Sequence, residues 1–170
     1  DLDALATAMA DPAVTALLLC SPHNPLGTVH TADELRAVAA LAAEHGVGVV
    51  VDEIHALLVP AGGAEFTPYL AVNDTGLVVT SASKVYNMAG IKAAVIIAGT
   101  ASGELVARLP ESVKYGASTF GIRAHVAAQD PAGQEVDGGV AHERGRPRGL
   151  RRHELEREHV DPRLPCLVDG

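Results

Sequence analysis

Tryptophan is absent from this sequence, and other aromatics are scarce: three Tyr and two Phe in 170 residues. A core therefore has to be built from Ala, Val, Leu and Ile. Two cysteines, Cys20 and Cys166, are too few for a disulfide framework, which points to a reducing, cytoplasmic setting. Positive charge is also in deficit. Thirteen Lys and Arg against 21 Asp and Glu leave a formal net charge of −8, the wrong sign for a nucleic-acid partner. No apolar run reaches the roughly 18 residues of a membrane span, and no basic start leads into an apolar stretch as in a signal peptide. The 8 histidines offer no pair at i, i+4 on a helix, and neither cysteine has a CxxC partner, so no metal site is expected. Gly62-Gly63 lacks the GxGxxG frame of a dinucleotide loop. The chain starts at Asp1 without an initiator Met and reads as a piece of something longer.

What is present is 48% hydrophobic and 20% charged, enough apolar surface for one folded domain. The charge is unevenly placed. Residues 134–163 hold 7 Arg, 7 acids and three His with almost no large apolar side chain, whereas every aromatic lies at or before Phe120. Residues 1–129 thus read as an α/β body and residues 130–170 as an atypical Arg/Gly/Pro-rich tail. Burial in that tail cannot offset a backbone entropy of roughly 1–2 kcal/mol per residue, so poor order is expected. Its composition is also what out-of-frame reading of GC-rich coding DNA produces. The run Arg144–Arg152 imitates a nucleic-acid arm, but acids flank it on both sides.

The body divides by its punctuation. Val14–Cys20 is a short apolar run that stops at Ser-Pro, as a strand buried on both faces would. Ser21–Thr28 holds two Pro and one Gly and must be a loop. Thr31 and Glu34 form a capping box, apolar residues follow at helical spacing, and Gly46 sits where a helix ends. Val47–Val51, Leu77–Thr80 and Ala93–Ala98 read as further strands, Ser102–Leu109 and roughly Glu111–Ala128 as helices. Strand, helix, strand at this spacing predicts a mostly parallel sheet with helices on its faces, a three-layer α/β/α arrangement; the close spacing of Ala93–Ala98 to the third strand suggests an antiparallel fourth.

Ligands of such sheets gather beyond the carboxyl ends of the strands. Asn24 follows the first strand, Asp52 and His55 the second, and Ser81, Ser83 and Lys84 the third. A carboxylate, an amide, hydroxyls and a lysine on one rim suit an anionic, heteroaromatic ligand.

These residues also carry a resemblance. Ser21-Pro22-His23-Asn24-Pro25-Leu26-Gly27, then Asp52-Glu53-Ile54-His55, then Ser81-Ala82-Ser83-Lys84 with Gly90 and Lys92 beyond, resemble fold-type I pyridoxal-phosphate (PLP) enzymes. Within these they are similar to class I/II aminotransferases, and to the cystathionine β-lyase-like C–S lyases among them. The spacings of 28 residues from Asn24 to Asp52 and 32 from Asp52 to Lys84 are part of the match, which runs to about residue 128.

The resemblance implies PLP as cofactor and a small-molecule amino acid as substrate. It makes Lys84 the catalytic lysine that carries PLP, desolvated and near other cations so that it can move a proton. Asp52 would face the pyridine nitrogen and Asn24 the ring's phenolic oxygen. His55 stands where typical aminotransferases carry Tyr, which favours the lyase branch. Ser81, Ser83 and Lys92 would hold the phosphate, Lys92 with the charge but not the fork of an arginine. Whole enzymes of the family are homodimers and carry further parts of the site before and after this segment. Three readings follow: a C–S β-lyase of cystathionine or cysteine conjugates, an aminotransferase, and a truncated remnant that turns over nothing.

Overall fold

The computed structural model describes residues 1–60 and 62–129. A first helix, α1 (Leu2–Met9), starts at Asp1, whose carboxylate accepts from the amides of Asp3 and Ala4. Then come strand β1 (Ala16–Cys20), helix α2 (Ala32–His45), and strands β2 (Gly48–Asp52), β3 (Leu77–Thr80) and β4 (Val95–Ala98). Three helices close the described chain: α3 (Gly103–Ala107), α4 (Glu111–Lys114) and α5 (Thr119–Gln129).

The four strands form one sheet in the order β1-β2-β3-β4. The first three are parallel and β4 is antiparallel to β3, so the sheet is mostly parallel with helices beside it, as the punctuation predicts. Helix α2 obeys its local signals closely. Thr31 Oγ1 accepts from the Glu34 amide while the Glu34 carboxylate accepts from the Thr31 amide, and Gly46 ends the helix in a left-handed conformation at φ 67°, an arrangement that satisfies otherwise orphaned helix-end groups. Its buried residues Leu35, Val38, Ala39 and Ala42 recur at helical spacing; Leu35, Ala39 and Ala42 share one core cluster with Val49, Val51 and Val78 of the sheet, Met9 of α1 and Tyr69.

Two expectations need correction. β1 is not buried on both faces: only the side bearing Leu17 and Leu19 packs on the core, and Leu18 on the other side is 70% exposed. The helix expected over 111–128 is two helices. Ser118 Oγ accepts from the Gly121 amide at 2.9 Å and donates to the Ile91 carbonyl at 2.7 Å, which starts α5 afresh and ties it to the chain before β4. Among its described residues the connection from β2 to β3 contains no α-helix, only 3-10 turns at Ala56–Leu58 and Tyr69–Ala71. Instead Tyr69 is inserted, fully buried, into the core that α2 fills from the other crossover.

Candidate active site

The three parallel strands end side by side. Cys20 pairs with Asp52 and Asp52 with Val79, so the chain leaves all three at one edge of the sheet. Because β4 is antiparallel, the 81–94 connection lies at that edge too. Asn24, Asp52, His55, Ser81, Ser83, Lys84 and Lys92 all belong to these connections.

The loop after β1 is tied across itself. The His23 amide donates to the Thr28 carbonyl at 2.8 Å and the Gly27 amide to the His23 carbonyl at 2.6 Å. The Ser21–Pro22 and Asn24–Pro25 peptide bonds are cis. Asn24 is exposed, and its side-chain amide makes no hydrogen bond among the described residues.

After β2, Asp52 is half-buried and its Oδ1 accepts from the Ile54 amide at 2.9 Å. Its second oxygen is uncommitted among the described residues. Glu53 turns inward. Its amide donates to the Val79 carbonyl at 2.9 Å, and its buried carboxylate accepts from the Tyr69 amide at 2.7 Å. Burial pushes the Glu53 carboxyl above its ordinary pKa, with the Tyr69 hydrogen bond pulling the other way. The Tyr69 phenol is likewise pushed up by burial, opposed by the hydrogen bond from Asn73 Nδ2 at 2.8 Å. His55 is half-buried and precedes the first 3-10 turn.

After β3, Ser81 Oγ donates to the Ala93 carbonyl at 2.8 Å and accepts from the Ser83 amide at 3.1 Å. This hydroxyl clamps the two ends of the 81–94 connection, so its proton is already spent. Lys84 is exposed rather than desolvated, a correction to the expected environment, and Lys92 is exposed at a left-handed φ of 45°. Neither ammonium has a partner among the described residues.

A hollow of about 400 Å³ opens between the loop after β1 and the segment after β2. Pro22, His23, Asn24, His55, Leu58 and Val59 are among its lining residues. It brings Asn24 and His55 together; Asp52, Ser81, Ser83, Lys84 and Lys92 lie outside its lining. His23, read from sequence as a mere loop residue, lines it, with a buried Nδ1 that has no partner among the described residues. Its place inside the Ser-Pro-His-Asn-Pro motif was the available signal. Among the described residues no cluster of metal-ligating side chains occurs.

A mostly parallel sheet with this polar edge is one class of architecture, and comparison with known proteins identifies it. The model of the family "Aminotransferase class I and II" matches residues 1–167, and the chain belongs to that family. The match continues past Gln129, where the motif resemblance stops; the order expected for the tail lies outside the described residues.

Among curated relatives, a Mycobacterium tuberculosis protein named "Putative cystathionine beta-lyase" is 48% identical over 146 residues, covering 81% of this chain and 36% of its own length. Cystathionine beta-lyase PatB of Bacillus subtilis is 36% identical over 143 residues, with 81% and 37% covered. Among solved structures, a "putative plp-dependent beta-cystathionase" of Corynebacterium diphtheriae superposes with a TM-score of 0.70 at 32% identity, over 80% of this chain and 37% of its own. The chain therefore spans a little over a third of the length of the relatives it matches.

Proposed function

We propose that residues 1–129 form the cofactor-binding part of the large domain of a PLP-dependent C–S β-lyase, one that cleaves cystathionine or a related cysteine conjugate. One observation carries the reading: Asn24, Asp52 and Lys84 follow three adjacent parallel strands at a single sheet edge. The donor set fits the cofactor. The Lys92 ammonium and the Ser83 hydroxyl suit a phosphate, the unpaired amine of Lys84 suits an aldehyde, the free oxygen of Asp52 suits a protonated ring nitrogen, and the Asn24 amide suits a phenolic oxygen.

PLP, when bound, supplies an electron sink for the pair left at the substrate's α-carbon. Lys84 would hold the cofactor in the resting protein, and its Nζ would be the basic group that takes the α-proton of the substrate. Asp52, fixed through one oxygen by the Ile54 amide, holds positive charge on the ring nitrogen with the other. Asn24 and His55, which share the hollow, orient the phenolic oxygen, His55 more weakly than a tyrosine would. Ser81, with its proton spent on Ala93, serves the phosphate by shaping the 81–94 connection; Ser83 and Lys92 bind it directly.

The relatives' names favour the lyase over the aminotransferase reading. The whole protein is read as a cytoplasmic homodimer acting on small amino acids. Among the described residues no helix is long and apolar enough to cross a membrane.

The test is direct. The chain is mixed with PLP, reduced with borohydride and digested, and the pyridoxyl group is located by mass spectrometry. Label on Lys84, lost in Lys84→Ala, is expected; no label, or label on other lysines only, rejects the assignment. In the whole enzyme, release of pyruvate and thiol decides for lyase, and formation of a new amino acid decides for aminotransferase.

A further inference from the structure

The crossover from β2 to β3 is long, has no α-helix among its described residues, and yet carries His55 and one wall of the hollow. Its internal bonds are short-range: Leu58 amide to His55 carbonyl and Gly63 amide to Pro60 carbonyl, at 2.9 and 3.0 Å. Among the described residues from Ile54 to Pro68, the hydrogen bonds that leave the segment run to Asp52 and Glu53 at its root and, at its far end, from the Ala71 amide to the Pro68 carbonyl. Leu57 and Leu58 are exposed, so packing of these side chains does not hold the wall in place either. What closes the loop is one side chain, the Glu53 carboxylate accepting from the Tyr69 amide across 16 residues.

Glu53 is suited to this. Its amide is fixed to Val79 of β3, its carbonyl accepts from the Ala56 amide at 2.9 Å, and Tyr69 beyond the bond is fully buried. Burying a carboxylate is costly unless it is hydrogen-bonded, and a core-facing apolar residue at position 53 would avoid that cost while leaving the Tyr69 amide unpaired. Asp52 precedes Glu53 and His55 lies two residues beyond it, so a shift in Glu53 moves both.

We infer that Glu53 is a positioning residue, a latch that holds residues 54–68 against the sheet edge and thereby sets His55 opposite Asn24 in the hollow. The latch stands on the hydrogen bonds alone; its service to a cofactor rests on the function proposed above.

Hydrogen exchange of the cofactor-free chain tests the latch. In Glu53→Ala, exchange over 54–69 should rise by about tenfold or more while β1 and α2 keep their protection. Glu53→Gln, whose amide oxygen can accept the same bond, should stay near wild type. Equal protection in Glu53→Ala, a Glu53→Gln protein as loose as Glu53→Ala, or uniform loosening of the whole sheet would each overturn it. If Glu53→Ala fails to fold, the wild-type Tyr69 amide decides: protection matching that of β2 supports the latch, and fast exchange overturns it. PLP retention is measured in parallel on the same proteins. Wild type that takes up no PLP rejects the proposed function while the exchange data still judge the latch, and Glu53→Ala that holds PLP as tightly as wild type removes the positioning role.

Discussion

The proposed function gives Asp52 two jobs on two oxygens, and a pair of substitutions separates them. Oδ1 accepts from the Ile54 amide at 2.9 Å, closing the turn that follows β2; under the proposal the other oxygen serves the ring nitrogen of the cofactor. Asp52→Asn keeps an acceptor for Ile54 and removes the charge. Asp52→Ala removes both. Loss of a half-buried side-chain-to-amide hydrogen bond costs about 1–2 kcal/mol, so Asp52→Ala should unfold in urea with a midpoint clearly below wild type. Asp52→Asn should stay within about 0.5 kcal/mol.

The cofactor should not distinguish the two variants. A carboxylate beside a cation raises that cation's pKa by roughly 1–3, equivalent to about 1.4–4 kcal/mol. Both variants should therefore lose the protonated ring nitrogen at a lower pH than wild type, followed by absorbance of the PLP-loaded protein. In the whole enzyme both should lose several orders of magnitude in rate. Unchanged ring titration in Asp52→Asn would refute the charge assignment. Equal stability of the Ala and Asn variants would refute the turn assignment.

Three further outcomes follow from the packing. Leu35 is 1% exposed at the meeting of α2 and the sheet, and Leu35→Ala should cost about 2–5 kcal/mol in denaturant unfolding; a loss under 1 kcal/mol would mean the site collapses onto the gap. A Cβ on Gly99 would overlap the Asp74 carbonyl, so Gly99→Ala should displace backbone and lower the melting temperature by several degrees, about 2 kcal/mol or more; an unchanged melting curve counts against this close approach. The Glu53 carboxyl, raised above its ordinary 4.5 by burial, binds its proton more tightly folded than unfolded. Its contribution is full below the ordinary pKa and is lost as pH rises through the raised one. Wild type should therefore lose stability relative to Glu53→Gln across that window, and a pH-independent difference would contradict it.

Much of the fold was legible because its signals are local. The capping box at Thr31 and Glu34, the stop at Gly46 and the apolar runs placed α2 and the strands within two residues of their observed ends. Helix α1 went unread, although Asp1 ahead of Leu2, Leu5 and Met9 is a cap before helical spacing. The break between α4 and α5 depends on Ser118 reaching the Ile91 carbonyl, 27 residues back, which no periodicity encodes. Exposure of Leu18 has the same origin: its run reads as apolar whichever face is covered.

The polar edge was legible for a geometric reason. In parallel strands every carboxyl end faces the same way, so residues directly after three apolar runs must share an edge whatever lies between them. Linear spacing alone then brings Asn24, Asp52 and Lys84 together. The hollow obeys no such rule. Its wall belongs to a crossover whose shape follows from Glu53 and Tyr69, two residues 16 apart that carry no repeat. Sequence patterns treated Glu53 as the unremarked neighbour of Asp52, and an acidic residue at a strand end is ordinarily solvated. Only its burial against the Tyr69 amide shows that the edge chemistry depends on it. The residues offered to a ligand can thus be read from where strands stop, whereas the residue that fixes their spacing emerges only from the three-dimensional contact.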